Sequence, residues 1–237
     1  TGSKAANLEF TGLQNYVRLF KDTAVKGALV RTLIFTVSSV IGQNILGFTI
    51  AYLMQKKNSL FRKITGPVFL AAWVMPEVVS AVCVYSFFTD KGTLNASQLG
   101  SSYSQNKQRA STGCYSTSNG GTAYSMMVYQ AALDNVSGDV KEAAQIDGAG
   151  KLQTILYVVV PLIKNTIMTN AMLTTLMTLG TFGFIWIITA GGPGDATQTL
   201  PILMYQKAFK NYELGYGTAI SMILLLVSAI FGLIYTK

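Results

Sequence analysis

The residues whose types and spacing could carry chemistry lie in one short polar stretch, 139–150, between two apolar segments. Asp139 is predicted to cap a helix here, with Glu142 three residues later as its capping-box partner. Both carboxylates would then lie at the positive end of the helix dipole. Gly148 and Gly150 supply the positive-φ conformations that end helices. The pattern therefore predicts a helix of about two or three turns.

The predicted helix has a face of small side chains, formed by Ala143 and Ala144. Small side chains let another surface approach the backbone closely. A helix in a solvated loop does not need such a face. We therefore interpret the stretch as a helix that enters a groove on a partner protein.

The composition is that of a membrane protein. Half of the 237 residues are hydrophobic, 12% are charged and the mean hydropathy is +0.39, whereas a soluble domain carries about 25% charged residues. The net charge of +8 is attributed to basic residues that flank membrane helices, not to nucleic-acid binding. The sequence has no histidine, which excludes histidine-based metal sites and triads. Cys83 and Cys114 support neither a metal cluster nor a clear disulfide.

The polar stretch resembles the EAA loop, a signature of the membrane subunits of bacterial ABC importers. That signature consists of Glu-Ala-Ala, three further residues, a glycine and, some nine residues later, an apolar-Leu-Pro sequence. The matching positions are Glu142, Ala143, Ala144, Asp147, Gly148, Ala149 and Pro161. Val160 replaces the usual leucine and Asn165 stands where a second proline is common. Because spacing and apolar flanks agree together, a chance amphipathic linker is the weaker explanation.

This resemblance implies an all-α membrane protein, a polytopic helical bundle of the type I ABC importer permease kind with a cytoplasmic coupling helix at 139–149. The coupling helix would dock on a separate ATP-hydrolysing subunit. Glu142 would pair with an arginine or lysine there, and Gly148 would form the turn that fits its cleft. The sequence has no Gly-x-x-x-x-Gly-Lys-Ser/Thr loop. We therefore expect a non-catalytic subunit that binds no cofactor, with ATP and Mg²⁺ held by partner subunits.

Apolar runs predict an interfacial or external segment, 1–26, and a transmembrane domain, 27–237. The predicted spans are 28–54, 64–88, 121–136, 166–190 and 217–235. The third span is incomplete, because residues 97–120 are rich in Ser, Asn and Gln and are typical of a disordered linker. Since the family has a full span here, we expect its first half to be replaced or wrongly represented. Family members also carry one more N-terminal span, so we expect a trimmed chain.

Two polar stripes run at helical spacing along otherwise apolar spans. In lipid, such a stripe faces neighbouring helices or water rather than acyl chains. Hydrogen bonding between helices is the commoner role and lining a solute path is the alternative; we predict that both stripes face one internal cavity. The candidate path residues are Thr32, Thr36, Ser39 and Gln43 on the first span, and Asn170, Thr174, Thr178, Thr181 and Phe182 on the fourth.

Glu77 is a further candidate for the solute path. Placing an ionisable group within a membrane span costs free energy, so such a group is treated as a functional candidate. Pro76, directly before it, frees a backbone carbonyl and is expected to kink the helix. The alternative is that a paired or protonated Glu77 holds the kink together. The residue patterns leave both interpretations open.

Two segments are similar to the carbohydrate-uptake branch of the family, the maltose and glycerol-phosphate type. One is Phe-x-Gly-Leu-x-Asn-Tyr-x-x-Leu-Phe at 10–20, and the other is Gly-Gly-Pro at 191–193 followed by Thr197. The resemblance implies a sugar or oligosaccharide cargo delivered by an extracytoplasmic binding protein. It also implies a second, related permease, two ATP-binding subunits, and a location in the bacterial cytoplasmic membrane.

Two alternatives remain at the level of sequence. One is the same machine with another cargo, such as an amino acid, phosphate or a polyamine. The other is an intramembrane enzyme that uses Glu77. Against the enzyme, Glu77 is the only acidic residue within the four complete predicted spans, and no metal-ligand set exists.

Overall fold

The computed structural model describes residues 13–88, 105–192 and 194–236. No strand occurs among these residues, and the prediction of an all-α protein is confirmed. In chain order the helices are α1 (Gln14–Lys21), α2 (Thr23–Gln55), α3 (Ser59–Val74), α4 (Glu77–Phe88), α5 (Gln105–Asp134), α6 (Gly138–Ile146), α7 (Lys151–Leu162), α8 (Lys164–Leu179), α9 (Gly183–Ile188), α10 (Leu200–Tyr205) and α11 (Leu214–Thr236). Two π-helical turns, Thr154–Val159 within α7 and Gln206–Lys210 after α10, complete the helical structure of these ranges.

The lengths and composition of the helices fit a membrane protein. Helices α2 and α11 are each long and apolar enough to cross a membrane, and the bent pairs α3–α4 and α7–α8 pass the same test together. The described part of the chain therefore has up to four candidate spans. Along α2, exposed apolar side chains recur at helical spacing and form a stripe suited to lipid contact. They are Val30, Ile34, Val37, Ile41 and Ile45.

Two predicted spans are interrupted by backbone breaks. The predicted span 64–88 is divided into α3 and α4 at Met75 and Pro76, because proline cannot donate a helical hydrogen bond and pushes the residue before it out of the helical conformation. The predicted kink is thus a complete break. The predicted span 166–190 likewise divides, since α8 ends before Gly180 and α9 begins only at Gly183.

The prediction of a disordered linker at 97–120 is wrong where the structure describes it. Helix α5 runs continuously from Gln105 to Asp134, while residues 97–104 lie outside the described ranges. Ser, Asn and Gln cost a helix only a few tenths of a kcal/mol each, roughly 0.7 at most, and no proline interrupts this stretch. A polar composition therefore did not prevent a helix, although α5 is not among the candidate spans.

The described residues belong to two compact units. The first takes its residues from 1–39, 76–117 and 176–237, and the second from 40–75 and 118–175. The core of the first joins α1, the start of α2, α10 and α11; its buried members are Leu19, Val25, Ala28, Leu200, Leu203, Tyr216, Ala219 and Ile220. A smaller cluster in the same unit, formed by Ala81, Phe184 and Ile188, packs α4 on α9.

The second unit packs α2 against α5 and α7. Its buried apolar residues are Ala51, Met54, Met126, Tyr129, Leu133, Val159 and Ile163. Two glycines let α2 and α5 approach at backbone distance: a Cβ on Gly47 would lie 2.6 Å from that of Ser125, and a Cβ on Gly121 would lie 2.3 Å from Oε1 of Gln43. This close approach positions the polar side chains described below.

Candidate functional site

Helix α6 carries most of the EAA-like residues, and it begins earlier than predicted. Ser137 precedes its first residue, Gly138, without a side-chain capping bond. The predicted capping box of Asp139 and Glu142 is therefore wrong, because the extended backbone at Ser137 places the helix start before both carboxylates. Asp139 still lies in the first turn, where the helix dipole favours its charge, but Glu142 lies in the second turn.

The C-terminal end of α6 is a Schellman motif centred on Gly148. The Ala149 N–H donates to the carbonyl of Ala144 at 2.9 Å, and the Gly148 N–H donates to that of Gln145 at 3.0 Å. Gly148 has a φ of +83°, as predicted. The same prediction for Gly150 is wrong: its backbone is extended, with a φ of −65°, and its N–H donates to Gln153 Oε1 at 2.8 Å.

The outer face of α6 is available to a partner. Glu142, Ala143 and Asp147 are exposed, and Ile146 is 86% exposed at the end of the helix. Ala144 is buried instead, in the second unit, where α6 packs against the π-helical turn of α7. The predicted open face of two alanines is therefore wrong, since consecutive helix residues point about 100° apart.

Pro161, the last residue of the EAA-like pattern, lies exposed in the final turn of α7. Its nitrogen carries no hydrogen, so an α-helical bond to the Tyr157 carbonyl is impossible. The π-helical turn Thr154–Val159 directly precedes it. The EAA-like residues therefore lie in two elements: α6 itself, and α7, whose π-helical turn packs against α6.

The candidate path residues of α2 are all buried. Of the three hydroxyl groups that lie in the first unit, one is hydrogen-bonded and two have no partner among the described residues. Thr32 Oγ1 donates to the Ala28 carbonyl at 2.7 Å and accepts from the Leu200 N–H at 2.9 Å, which ties α2 to the start of α10. Thr36 and Ser39 are also buried, but their hydroxyls have no hydrogen-bond partner among the described residues. Gln43 is buried in the second unit, beside Gly121 of α5.

In the second unit, Asn170 lies at the centre of a buried polar network between α2, α5 and α8. Its Nδ2 donates to Asn44 Oδ1 at 2.8 Å and to Ser125 Oγ at 3.0 Å. The hydroxyl of Tyr129 donates to the same Asn44 oxygen. Thr174 Oγ1 donates to the Asn170 carbonyl at 2.8 Å. The network shows that this stripe bonds helices together in the conformation described.

Sequence reasoning missed three members of this network: Asn44, Ser125 and Tyr129. Asn44 could have been predicted, since an amide within an apolar span costs free energy unless it is hydrogen-bonded. Ser125 and Tyr129 carried none, because their role depends on which helix lies beside α5.

The remaining candidate residues of the fourth predicted span lie in the first unit. Thr178 is buried, and the hydroxyl of Thr181 donates to the Met177 carbonyl at 3.2 Å. Phe182 stacks on Trp186, with ring centroids 5.7 Å apart and planes 17° from parallel, and it also meets the Tyr205 ring at 5.0 Å. An aromatic cluster therefore follows directly on the threonines.

Glu77 has a defined structural partner. Its Oε1 accepts from the Phe184 N–H at 2.9 Å, at the first turn of α9. A Cβ added to Gly183 would lie 3.3 Å from its other carboxylate oxygen. The carboxylate thus joins α4 to α9 in the first unit. Glu77 is therefore paired, but its bond runs to another predicted span and not across the break between α3 and α4.

The sequence profile of a family described as the binding-protein-dependent transport system inner membrane component matches residues 43–237. The chain belongs to this family. The prediction of an ABC importer permease is thereby confirmed, with its location in the inner membrane. Because the family comprises transport components, the alternative of an intramembrane enzyme is not supported.

Named relatives of this permease include sugar-transport proteins. The multiple sugar-binding transport system permease protein MsmF of Streptococcus mutans is 29% identical over 98% of this chain and 81% of its own. The trehalose/maltose transport system permease protein MalF of Thermococcus litoralis is 27% identical over 96% of this chain and 79% of its own.

A solved structure with a similar fold is a bacterial alginate ABC transporter in complex with its alginate pentasaccharide-bound periplasmic protein. Its matching chain gives a TM-score of 0.80 at 19% identity, covering 98% of this chain and 84% of that one. At this identity the likeness concerns the fold alone.

Proposed function

We propose that this permease forms part of the translocation path for a sugar or oligosaccharide, and that α6 is the coupling helix that docks on an ATP-hydrolysing subunit. The observation that carries the docking role is the exposed outer face of α6, which presents EAA-like residues in a member of this family. ATP and Mg²⁺ would be held by two ATP-binding partner subunits.

The outer face of α6 has the chemistry of a docking surface. Glu142 presents an exposed carboxylate for an arginine or lysine of the ATP-hydrolysing subunit. Ile146 adds an apolar side chain that a groove would remove from water, worth about 1.5–3 kcal/mol when fully buried. At Gly148 nothing lies within 4 Å of an added Cβ, so a partner can approach its backbone.

The sugar cargo is supported by the names of MsmF and MalF and by the kinds of side chain in the proposed path. Threonine, serine and amide groups hydrogen-bond hydroxyls, and aromatic rings such as Phe182 stack on sugar faces. We propose that the two polar stripes line one cavity, in a permease paired with a second, related permease. An extracytoplasmic binding protein would deliver the cargo to it.

The test is co-purification of this permease from membranes, with an ATPase assay against a panel of sugars. Gly148→Asp is expected to abolish association with the ATP-hydrolysing subunit, because the added side chain occupies the space that the partner approaches and is strained at the φ of +83° of this turn. Gly150→Asp is the matched control: it adds the same charge and size two residues away, where the backbone is extended and no close contact arises.

Two results would contradict the proposal. If both variants retain the ATP-hydrolysing subunit at the level of the unaltered chain, α6 is not the docking helix. If no sugar changes the rate of ATP hydrolysis while an amino acid, phosphate or polyamine does, the sugar assignment is wrong and the transport role stands.

A further inference from the structure

Polar side chains from four helices meet where α6 joins the rest of the second unit. Gln55 is the last residue of α2, and Arg62 lies in the first turn of α3. Asp134 is the last residue of α5, and Gln130 lies one turn before it. Lys141 comes from α6 itself. We call these five residues the root cluster.

Arg62 faces two residues of α5 that are one turn apart. Its Nη2 donates to Asp134 Oδ2. With the Gln130 amide turned so that its oxygen faces the guanidinium, that oxygen accepts from Nη2 at 3.0 Å and from Nε at 3.2 Å. The planar fork of Arg62 therefore holds the end of α5 at two points.

Gln55 connects the end of α2 to the same place. Its Nε2 donates to the Leu133 carbonyl at 2.8 Å, which also accepts from the Val136 N–H at 3.4 Å, and to Asp134 Oδ1 at 3.4 Å. Its Oε1 accepts from Lys141 Nζ at 3.5 Å, the longest of these bonds. One amide thus contacts α5 and the coupling helix together.

Stability alone does not account for the central ion pair. Arg62 lies at the positive end of α3 and Asp134 at the negative end of α5, so each helix dipole disfavours the charge it carries. Their side chains are 30% and 42% exposed, and exposed ion pairs contribute little to stability. Together with the bonds of Gln55 and Gln130, the pair holds the last turn of α5 in one position.

That position determines where α6 lies. Only residues 135–137 separate α5 from α6, a link that reaches about 10 Å when fully extended. Val136, in the middle of the link, packs against the core of the second unit. A fixed last turn of α5 therefore leaves α6 little freedom to tilt independently.

We propose that the root cluster is a clasp that makes α6 move as one body with α2 and α5. A pull on α6 by an ATP-hydrolysing subunit is then delivered to the membrane helices rather than absorbed at the link. Arg62, Gln55 and Asp134 act as positioning residues for coupling. The inference rests on the proposed docking role of α6.

The test measures the distance between α6 and α2 by electron–electron double resonance. Cys83 and Cys114 are replaced by serine, and spin labels are placed at Ile45 of α2 and Gln145 of α6, both exposed. The importer is purified with its ATP-hydrolysing subunits in nanodiscs and measured without nucleotide and with ATP plus vanadate. We expect one narrow distance distribution that is the same in both states.

Arg62→Gln is expected to broaden that distribution. The ratio of molecules at the native distance to molecules at displaced distances should fall by about 2- to 30-fold. This is the range of coupling changes for residues in such networks. The charge exchange Arg62→Asp with Asp134→Arg should restore the narrow distribution, since each charge then lies at the helix end that favours it. Lys63→Gln is the matched control, because it removes a neighbouring exposed charge outside the root cluster.

The clasp is wrong if Arg62→Gln leaves the distribution narrow, if the charge exchange does not restore it, or if the native distance changes with ATP plus vanadate. A failure of the docking role gives a different result: Gly148→Asp would still co-purify with the ATP-hydrolysing subunits. The distances measured without nucleotide would report on the clasp even then.

Discussion

Replacing Gly47 by alanine is expected to force α2 and α5 apart. The added Cβ would lie 2.6 Å from the Ser125 Cβ and 2.9 Å from the backbone nitrogen of Met126. Ordinary van der Waals contact requires the helices to separate by roughly 1 Å. Overpacking of this kind costs about 1–3 kcal/mol, whereas alanine gains about 0.5–1 kcal/mol over glycine within a helix. The net expectation is a destabilisation of up to about 2.5 kcal/mol.

Gly42 of the same helix provides the matched control, because an added Cβ there has nothing within 4 Å. Gly42→Ala should therefore stabilise the chain by about 0.5–1 kcal/mol. The assay is the apparent thermal midpoint in one detergent at one scan rate. Since 1 kcal/mol corresponds to about 2–4 °C at this chain length, the two variants should differ by roughly 2–12 °C. Equal midpoints for the two variants would refute the close-packing argument.

Three further outcomes are expected. Glu77→Gln should keep an acceptor for the N–H at the start of α9, whereas Glu77→Val should leave it unpaired and lower the thermal midpoint by the equivalent of about 1–3 kcal/mol. Burial raises the pKa of Asp22, but bonds from a tyrosine hydroxyl of α11 and a backbone N–H outweigh it, so the pKa lies below its usual value of 3.8. Asp22→Asn should therefore lower the thermal midpoint at neutral pH, and this difference should vanish as the pH falls through that lowered pKa. Cysteines at Thr36 and Thr174 should react with water-soluble thiol reagents during transport, unlike one at lipid-facing Ile34.

For each of these three predictions, one result would contradict it. Equal midpoints for the glutamine and valine variants would show that the Glu77 bond contributes nothing. If the Asp22→Asn variant has the same deficit in thermal midpoint in acid as at neutral pH, the charge of the Asp22 carboxylate does not cause that deficit. Cysteines at Thr36 and Thr174 that both behave like the one at Ile34 would show that the stripes face lipid, and the shared path would be excluded.

The local parts of the site could be predicted from the sequence because they depend on neighbouring residues. Gly148 adopts positive φ as predicted, since a helix end with glycine at this position is a local motif. Pro76 interrupts its span as predicted, since proline acts on its own backbone. The resemblance carried by Glu142, Gly148 and Pro161 implied the family, and the family match over residues 43–237 shows it.

The tertiary parts could not be predicted. The start of α6 depends on the backbone of Ser137, which is set by the link from α5 and not by the nearby carboxylates. The burial of Ala144 depends on the π-helical turn of α7 lying beside it. The helical structure of the first part of α5, 105–120, was missed because composition was taken as evidence against a helix, although each polar residue costs a helix very little.

The buried network around Asn170 also constrains how this permease can change over generations. Asn44 Oδ1 accepts from both Asn170 and Tyr129. Losing Asn44 alone would remove the acceptor of the Tyr129 hydroxyl, at a cost of about 1–3 kcal/mol, and would leave the Asn170 amide nitrogen with Ser125 Oγ as its acceptor. Replacing all the polar partners by apolar residues of similar shape avoids that cost. These positions, on three different helices, should therefore be inherited as a set: in the permeases descended from a common ancestor, they change together or not at all.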